Sequence, residues 1–389
     1  MRDIVACRTA VLGGHVDECD TCGHAEVSYN SCRNRHCPKC QCLRQARWVE
    51  QRMERVLPTH HFHVVFTVPQ ELKPLALRNR KRFFELLFAA ASRTLVDLGR
   101  DPKRLGGLLG ITAILHTWTR SLVFHPHVHC IVTGGGLSDD AMRWVSADRG
   151  RGRYLFPVEV MRALFRGKLL AALSDALEHG ELQLDGPCAD LAAQAVRANL
   201  WNQLYRKNWV VYCKRPFGGT EHVFKYLGRY THRVGISNQR LISMDDHGVT
   251  FATKQGATET LAPKEFIRRF LLHVLPPGFV KIRHFGLHAP GNVNTKLVAA
   301  RRLIEAPPDT PAATLSGVDA RPAAIVAAIL VAAVILAANR TATWRELLLA
   351  LTGLDVTRCR VCGQGTLVRR CLPRSPLPSA PVPRIHDSS

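Results

Sequence analysis

Residues Gly110–Gly136 read GITAILHTWTRSLVFHPHVHCIVTGGG, and this stretch decides the fold because it predicts two neighbouring strands. The first predicted strand covers Ile111–Trp118, and the second covers His127–Thr133. Both combine β-branched and aromatic residues with alternating side-chain character, which is typical of strands. The three glycines Gly134–Gly136 favour a turn after the second strand, and close approach of backbone to a phosphate is the alternative.

The second strand carries a His-x-His pair. Successive side chains of a strand point to opposite faces, so His127 and His129 lie on one face. Two imidazoles on a rigid strand form half of a metal site, and His116 would complete a triangle if the two strands pair. With 18 histidines in 389 residues, chance gives roughly 0.8 pairs at this spacing. The His-x-His spacing alone is therefore weak evidence for a metal site and requires support from other features. The alternative to a metal site is a polar pair on a half-exposed strand.

The composition indicates a polyanionic partner. Lys and Arg number 53 against 31 Asp and Glu, which gives a net charge of +22 and a pI near 10.0. The basic residues are spread along the chain, so the positive field belongs to the folded body and favours DNA, RNA or, less often, a membrane surface. The length of 389 residues with 46% hydrophobic residues allows two or three domains with a genuine core. We find no N-terminal export signal and expect a cytoplasmic protein.

Seven of the 13 cysteines lie before Leu43, in CxxC spacings that favour metal thiolates over disulfides. Cys19-x-x-Cys22 and Cys37-x-x-Cys40 together predict a four-thiolate zinc ribbon. Further ligands are available for a second ion, so one or two structural zinc ions are expected; these ligands are Cys7, His15, Cys32 and His36. Basic residues among the cysteines predict contacts with DNA phosphates, and they are Arg33, Arg35 and Lys39.

A second pattern lies in TEHVFKYLGRYTHRV, residues 220–234. A helix starting near Thr220 would place Tyr226 and Tyr230 one turn apart on one face. With six tyrosines in the chain, chance gives roughly 0.1 pairs at this spacing. Phenols among cations suit nucleophilic attack on phosphate, and the nearby cations are Lys225, Arg229 and Arg233. The alternative is an aromatic pair packed on an ordinary helix.

Taken together, these motifs resemble the rolling-circle transposases of bacterial insertion sequences, of the IS91 type with an N-terminal zinc-binding domain. They form the two-tyrosine branch of the HUH endonuclease superfamily, in which U is a hydrophobic residue. The resemblance runs through nearly the whole chain in five blocks: SCRNRHCPKCQ, FHVVFTVP, HTWTRSLVFHPHVHCIVTGGGL, YLGRYTHRVGISNQRL and EFIRRFLLHVLPPGFVKIRHFG.

The resemblance implies an α+β fold with a central antiparallel sheet flanked by helices. It implies that His127 and His129 bind a catalytic Mg²⁺ or Mn²⁺ and that Tyr226 and Tyr230 are the nucleophiles. His116 is our choice for the third ligand, since it is similarly placed to the third histidine of the related conjugative relaxases. The implied activity is cleavage and transfer of single-stranded DNA through a 5′-phosphotyrosine, without a nucleotide cofactor.

We predict three parts: a zinc-binding, DNA-contacting module (1–56), the nuclease-transposase domain (57–290) and a helical C-terminal region (291–389). In the last part, Ala323–Ala338 is a 16-residue apolar run. This is shorter than the roughly 20 residues needed to span a bilayer, so it predicts a packed helix. Cys359-x-x-Cys362 and Cys371 suggest a further zinc knuckle without an obvious fourth ligand. The proline-rich residues 373–389 predict a disordered tail.

Two other functions are compatible with the same residues. A replication initiator or relaxase would use the same chemistry at another DNA site. A zinc-dependent DNA-binding regulator would use the histidine and tyrosine pairs only for structure.

Overall fold

The computed structural model describes residues 2–37, 39–40, 52, 55–147, 155–217, 235–254, 256–306 and 355–375. The chain divides into two compact units, a terminal unit (Met1–Cys40 with Asp309–Ser389) and a central unit (Gln41–Pro308). Residues 355–375 thus belong to the same unit as the N-terminal cysteines. The domain boundaries expected after residues 56 and 290 remain predictions.

The described residues form the following elements. The strands are β1 (Gly14–Cys19), β2 (Ala25–Tyr29), β3 (His61–Thr67), β4 (Leu108–Trp118), β5 (Phe124–Leu137), β6 (Trp144–Ser146), β7 (Val211–Phe217), β8 (Leu241–Met244), β9 (Val249–Ala252), β10 (Thr258–Leu261), β11 (Ile282–Gly286) and β12 (Leu367–Leu372). The helices are α1 (Arg2–Val5), α2 (Lys73–Arg78), α3 (Arg80–Arg100), α4 (Val158–Glu178), α5 (Gln194–Arg206), α6 (Pro263–Leu271) and α7 (Lys296–Glu305).

The central unit is built on a six-stranded antiparallel sheet in the order β11-β4-β5-β3-β7, with β6 paired to β5. The antiparallel sheet and the helices that flank it agree with the expected α+β class. The pairing of β4 with β5 is also confirmed, and its register sets His116 opposite His127 and Ile114 opposite His129.

One face of this sheet is the hydrophobic core. Along β5, Val128, Cys130 and Val132 are fully buried and alternate with the histidines. Helices α3 and α4 cover this face, where Phe66 of β3 meets Phe165 of α4 with ring centroids 4.8 Å apart. Each such buried aromatic ring contributes about 2–3 kcal/mol of hydrophobic stabilisation. This packing fixes the sheet, so the opposite face can hold polar side chains in defined positions.

The glycines 134–136 lie inside β5, which corrects the expected turn. A Cβ on Gly134 would come within 2.3 Å of the His60 ring, and a Cβ on Gly136 within 2.7 Å of the Gly107 backbone. The glycines are therefore required by close packing within the sheet. Strand β5 is accordingly longer than expected.

A separate three-stranded sheet in the central unit has the order β10-β9-β8. Strands β8 and β9 form an antiparallel hairpin, and β10 extends it by a third strand. Phe251 of β9 is fully buried and packs against Phe266 of α6, with ring centroids 5.8 Å apart.

The terminal unit contains a three-stranded antiparallel sheet in the order β12-β1-β2. Strands β1 and β2 form a hairpin, and all six residues of β1 pair with β12. Two segments more than 330 residues apart in sequence therefore share one sheet.

Several expected elements lie outside the described residues. They are the tyrosine helix beginning near residue 220, the apolar run 323–338 and the tail beyond residue 375. Within the described parts of the chain, no helix has both the length and the apolar character needed to cross a membrane.

Candidate functional site

Three histidines meet on the sheet face opposite the hydrophobic core. His127 and His129 alternate with Val128 on β5, and His116 on β4 pairs directly with His127. The possible ligand atoms of these three side chains all lie within 4.8 Å of one another. The ring centroids are 4.2 Å apart for His116–His129, 4.8 Å for His127–His129 and 5.4 Å for His116–His127. Three imidazoles at these separations can bind one divalent cation.

The protonation of the three rings suits metal binding. Burial lowers the pKa of His127 to about 4. Burial also lowers the pKa of His116 and His129 well below the usual value, and the neighbouring histidines and Lys281 add to the effect. His127 and His129 keep part of their surface accessible, so a ligand can reach them. At neutral pH all three imidazoles are uncharged and carry a lone pair.

Hydrogen bonds orient two of the rings. His127 Nδ1 donates to the carbonyl oxygen of His125 over 2.7 Å, which leaves the lone pair on Nε2. His129 Nδ1 lies 2.8 Å from Nε2 of His63 on β3. The His63 and His129 rings are stacked, with centroids 5.0 Å apart and planes inclined by 8°. If His129 donates this hydrogen bond, its Nε2 carries the lone pair that a metal needs.

His63 was missed by sequence reasoning, because its His-x-His pair with His61 has the spacing that chance supplies. The alternation of β3 was visible, with Phe62, Val64 and Phe66 on the core face. The sequence does not give the β3–β5 register, which sets His63 opposite Ile131 and diagonal to His129.

A buried cation accompanies the histidines. Lys281 precedes β11 and is only 7% exposed. Its Nζ lies 5.1 Å from the centroid of the Trp118 ring, and Trp118 stacks on His116 with centroids 4.8 Å apart. The Lys281 charge helps lower the pKa of His116 and His129, which places it within electrostatic range of the triad. This cation was also missed, because basic residues are common throughout the chain.

The expected nucleophiles Tyr226 and Tyr230 lie outside the described residues. So do the basic residues expected beside them: Lys225, Arg229 and Arg233. Their roles remain predictions.

Eight of the described cysteines of the terminal unit form two tetrads, and this corrects the expected ribbon of Cys19, Cys22, Cys37 and Cys40. The first tetrad is Cys7, Cys32, Cys37 and Cys40, and the second is Cys19, Cys22, Cys359 and Cys362. The β1–β2 hairpin is the physical reason. Cys19 and Cys22 lie at the tip of the hairpin. The chain has returned along β2 to the base of the hairpin before it reaches Cys37 and Cys40. A six-residue strand separates these ends by roughly 16–20 Å, too far for one ion.

Three side chains considered as further zinc ligands belong to neither tetrad. His15 Nε2 is 3.5 Å from Asp17 Oδ2. The backbone N–H of His36 donates to Asn34 Oδ1 over 2.9 Å. Cys371 is exposed on β12 and belongs to neither tetrad. The Cys359–Cys362 knuckle that lacked a fourth ligand is completed instead by Cys19 and Cys22.

The tetrad spacing fits zinc. Tetrahedral Zn–S bonds of about 2.3 Å require sulfurs about 3.8 Å apart. The Cys32–Cys40 sulfurs are 3.9 Å apart, and the Cys19–Cys362 sulfurs are 3.7 Å apart. Three basic residues lie in the loop of the first tetrad, with Arg33 and Lys39 exposed and Arg35 half-buried.

Comparison with known proteins agrees with this geometry. A family profile described as "Transposase zinc-binding domain" matches residues 1–68, and one described as "Putative transposase" matches residues 110–296. The chain is 38% identical over 374 residues to "Putative transposase y4qJ" of Sinorhizobium fredii, covering 95% of this chain and 87% of that protein. It is 28% identical over 299 residues to the transposase for insertion sequence element IS801 of Pseudomonas savastanoi pv. phaseolicola, covering 74% and 68% of the two chains. The chain therefore belongs to the IS91-type family of insertion-sequence transposases, with a zinc-binding domain at its N-terminus.

Proposed function

We propose that this transposase cuts and rejoins single-stranded DNA at the ends of its element through tyrosine, by rolling-circle transposition. The observation that carries the proposal is the triad of His116, His127 and His129 on two paired strands of a transposase. The sheet, the flanking helices and this triad together support an HUH-type endonuclease fold for the central unit.

The triad fits a divalent cation. Its three nitrogens converge, its imidazoles are neutral, and hydrogen bonds from the ring nitrogens of His127 and His129 fix their orientation. Mg²⁺ or Mn²⁺ bound there would polarise the scissile phosphate and hold it for in-line attack. The neutral histidines supply ligand atoms without adding negative charge that would repel the DNA backbone.

The bond changes follow from the nucleophile. The hydroxyl oxygen of Tyr226 or Tyr230 attacks phosphorus and loses its proton, while the bond from phosphorus to the 3′ oxygen breaks. That oxygen takes up a proton, so the products are a 5′-phosphotyrosine and a free 3′-OH. Attack of a 3′-OH on the phosphotyrosine reverses these changes, so rejoining requires no nucleotide cofactor. Two tyrosines allow one strand to be held while another is cut.

Lys281 supports the same chemistry. A cation enclosed beside the triad can neutralise charge that builds up on the phosphate oxygens during attack. We propose that it contacts the scissile phosphate, and that Trp118 beside it provides a surface on which an unpaired base can stack.

The rest of the chain supplies affinity for DNA. We propose that Arg33, Arg35 and Lys39 contact phosphates from the zinc-binding domain. Several such contacts release counterions, so affinity should fall steeply between low and moderate salt.

The test is a covalent adduct. The full chain is incubated with single-stranded oligonucleotides from the element ends and Mn²⁺, and products are separated under denaturing conditions. We expect a protein–DNA adduct that is absent from the Tyr226→Phe/Tyr230→Phe double variant. If no single-stranded substrate gives an adduct while duplex binding is retained, the chain acts as a DNA-binding regulator and the proposal is wrong.

A further inference from the structure

The second cysteine tetrad joins two distant parts of the chain. Cys19 and Cys22 flank the tip of the β1–β2 hairpin, and Cys359 and Cys362 precede β12. The sulfurs of Cys19 and Cys362 are 3.7 Å apart, as are those of Cys22 and Cys359. Both distances match the edge of a tetrahedral zinc–thiolate site, about 3.8 Å.

The backbone around these sulfurs is shaped for anionic thiolates. The N–H groups of Cys22, Val361 and Gly365 point at the sulfurs of Cys19, Cys359 and Cys362, at 3.5, 3.4 and 3.3 Å respectively. Such N–H donors stabilise negative charge on the ligands, as outer-shell groups do in metal sites. A Cβ on Gly365 would lie 2.3 Å from the Cys19 sulfur, so only glycine fits there.

Contacts beside the tetrad hold the same two segments together. Arg369 of β12 binds Asp17 of β1 through two hydrogen bonds of 2.7 Å each. The N–H of Thr366 donates to Asp20 Oδ1 over 2.8 Å. The six-residue β1–β12 pairing thus places the four thiolates side by side.

We propose that Cys19, Cys22, Cys359 and Cys362 bind a second structural zinc ion, which clasps residues 355–375 to the N-terminal hairpin. The family's zinc-binding domain covers only residues 1–68, so half of this site comes from outside it. Four protein ligands complete the coordination of zinc, which makes the site structural and leaves no position for a substrate. The zinc-binding module is therefore discontinuous, and it forms only after the C-terminal part of the chain has been made.

The zinc content of the purified protein tests this proposal. The full chain, purified without chelator, should contain two zinc ions by elemental analysis. The Cys359→Ser/Cys362→Ser variant should contain one, and the control Cys371→Ser, which alters an exposed cysteine of the same unit, should keep two. A wild-type content of one, or an unchanged content of two in the double variant, would overturn the proposal.

A misfolded variant is distinguished by two further measurements. Cys362→His keeps a zinc ligand and should retain two ions. In a second approach, a protease site is inserted near residue 315 of the otherwise wild-type chain. After cleavage, the C-terminal fragment should co-elute with the remainder in gel filtration and separate from it once a strong chelator has removed the zinc. A fragment that separates before chelation, or stays bound after zinc is removed, would contradict a zinc clasp.

Discussion

The hydrogen bond between His63 and His129 predicts that loss of the His63 imidazole weakens metal binding by the histidine triad. We consider His63→Leu, which replaces the imidazole with an apolar side chain of similar size and removes the hydrogen-bond partner of His129 Nδ1. The 2.8 Å contact and the 8° stacking hold the plane of the His129 ring, and with His129 as the donor they also fix the tautomer that leaves a lone pair on Nε2. Loss of one neutral hydrogen bond costs about 1 kcal/mol. Loss of an outer-shell partner to a metal-binding histidine typically weakens binding by about 10- to 100-fold, which corresponds to about 1.4–2.7 kcal/mol.

The assay is calorimetric titration of the full chain with Mn²⁺. We expect His63→Leu to bind Mn²⁺ about 10- to 100-fold more weakly, while the free energy of unfolding in urea changes by no more than about 1 kcal/mol. His63→Gln, whose amide can still accept the hydrogen bond, should recover most of the affinity. The matched control is His125→Leu. This change removes a ring 5.3 Å from His127 but keeps the carbonyl that accepts from it, so its affinity should be close to wild type. Equal affinity of His63→Leu and wild type, or an equal loss in the control, would refute the positioning role.

Three further predictions follow from the described residues. Lys281→Met should lower the rate of strand cleavage by about 100-fold, as loss of one donor at a developing charge does, whereas Lys281→Arg should retain part of the wild-type rate. Equal cleavage rates of Lys281→Met and the wild type in quenched-flow experiments would contradict this role. Burial lowers the pKa of His273 to about 4, so below pH 6.5 the unfolded chain takes up a proton that the folded chain excludes, and stability falls as pH decreases toward 4. Between pH 7 and pH 5 this proton uptake lowers the free energy of unfolding by about 2 kcal/mol. In urea unfolding, the free energy of His273→Gln should therefore decrease over this pH range by about 2 kcal/mol less than that of the wild type, and an equal decrease would contradict the role of His273. Gly365→Ala should reduce the zinc content from two ions toward one because its Cβ would collide with the Cys19 sulfur, and a full complement of zinc would show that the knuckle tolerates the methyl group.

Much of the central sheet is predictable from local patterns. Apolar side chains alternate along β3 and β5 because one face packs on helices α3 and α4. The same alternation places His127 and His129 together before any coordinates are known. What the sequence does not contain is register: the pairing of His116 with His127 and the diagonal approach of His63 depend on how strands align across the sheet.

The cysteine grouping shows the same limit. The local CxxC spacing correctly predicts metal thiolates, but it favours combining the two nearest pairs. The β1–β2 hairpin separates those pairs, and the pairing of β12 with β1 supplies the missing ligands from more than 330 residues away. A contact so distant in sequence leaves no periodic signal. The turn predicted at Gly134–Gly136 is wrong for a local reason, because these glycines allow close packing against Gly107, His60 and Trp144 within a strand.

The most direct test of the central claim is to locate the covalent adduct by mass spectrometry. The full chain is reacted with an element-end oligonucleotide and Mn²⁺, digested, and searched for peptides carrying a 5′-phosphonucleotide. We expect the modification on Tyr226 or Tyr230 in the wild type, and none in His127→Ala/His129→Ala although that variant still binds the oligonucleotide. An adduct on another residue, or one formed equally well without the two histidines, would contradict the account.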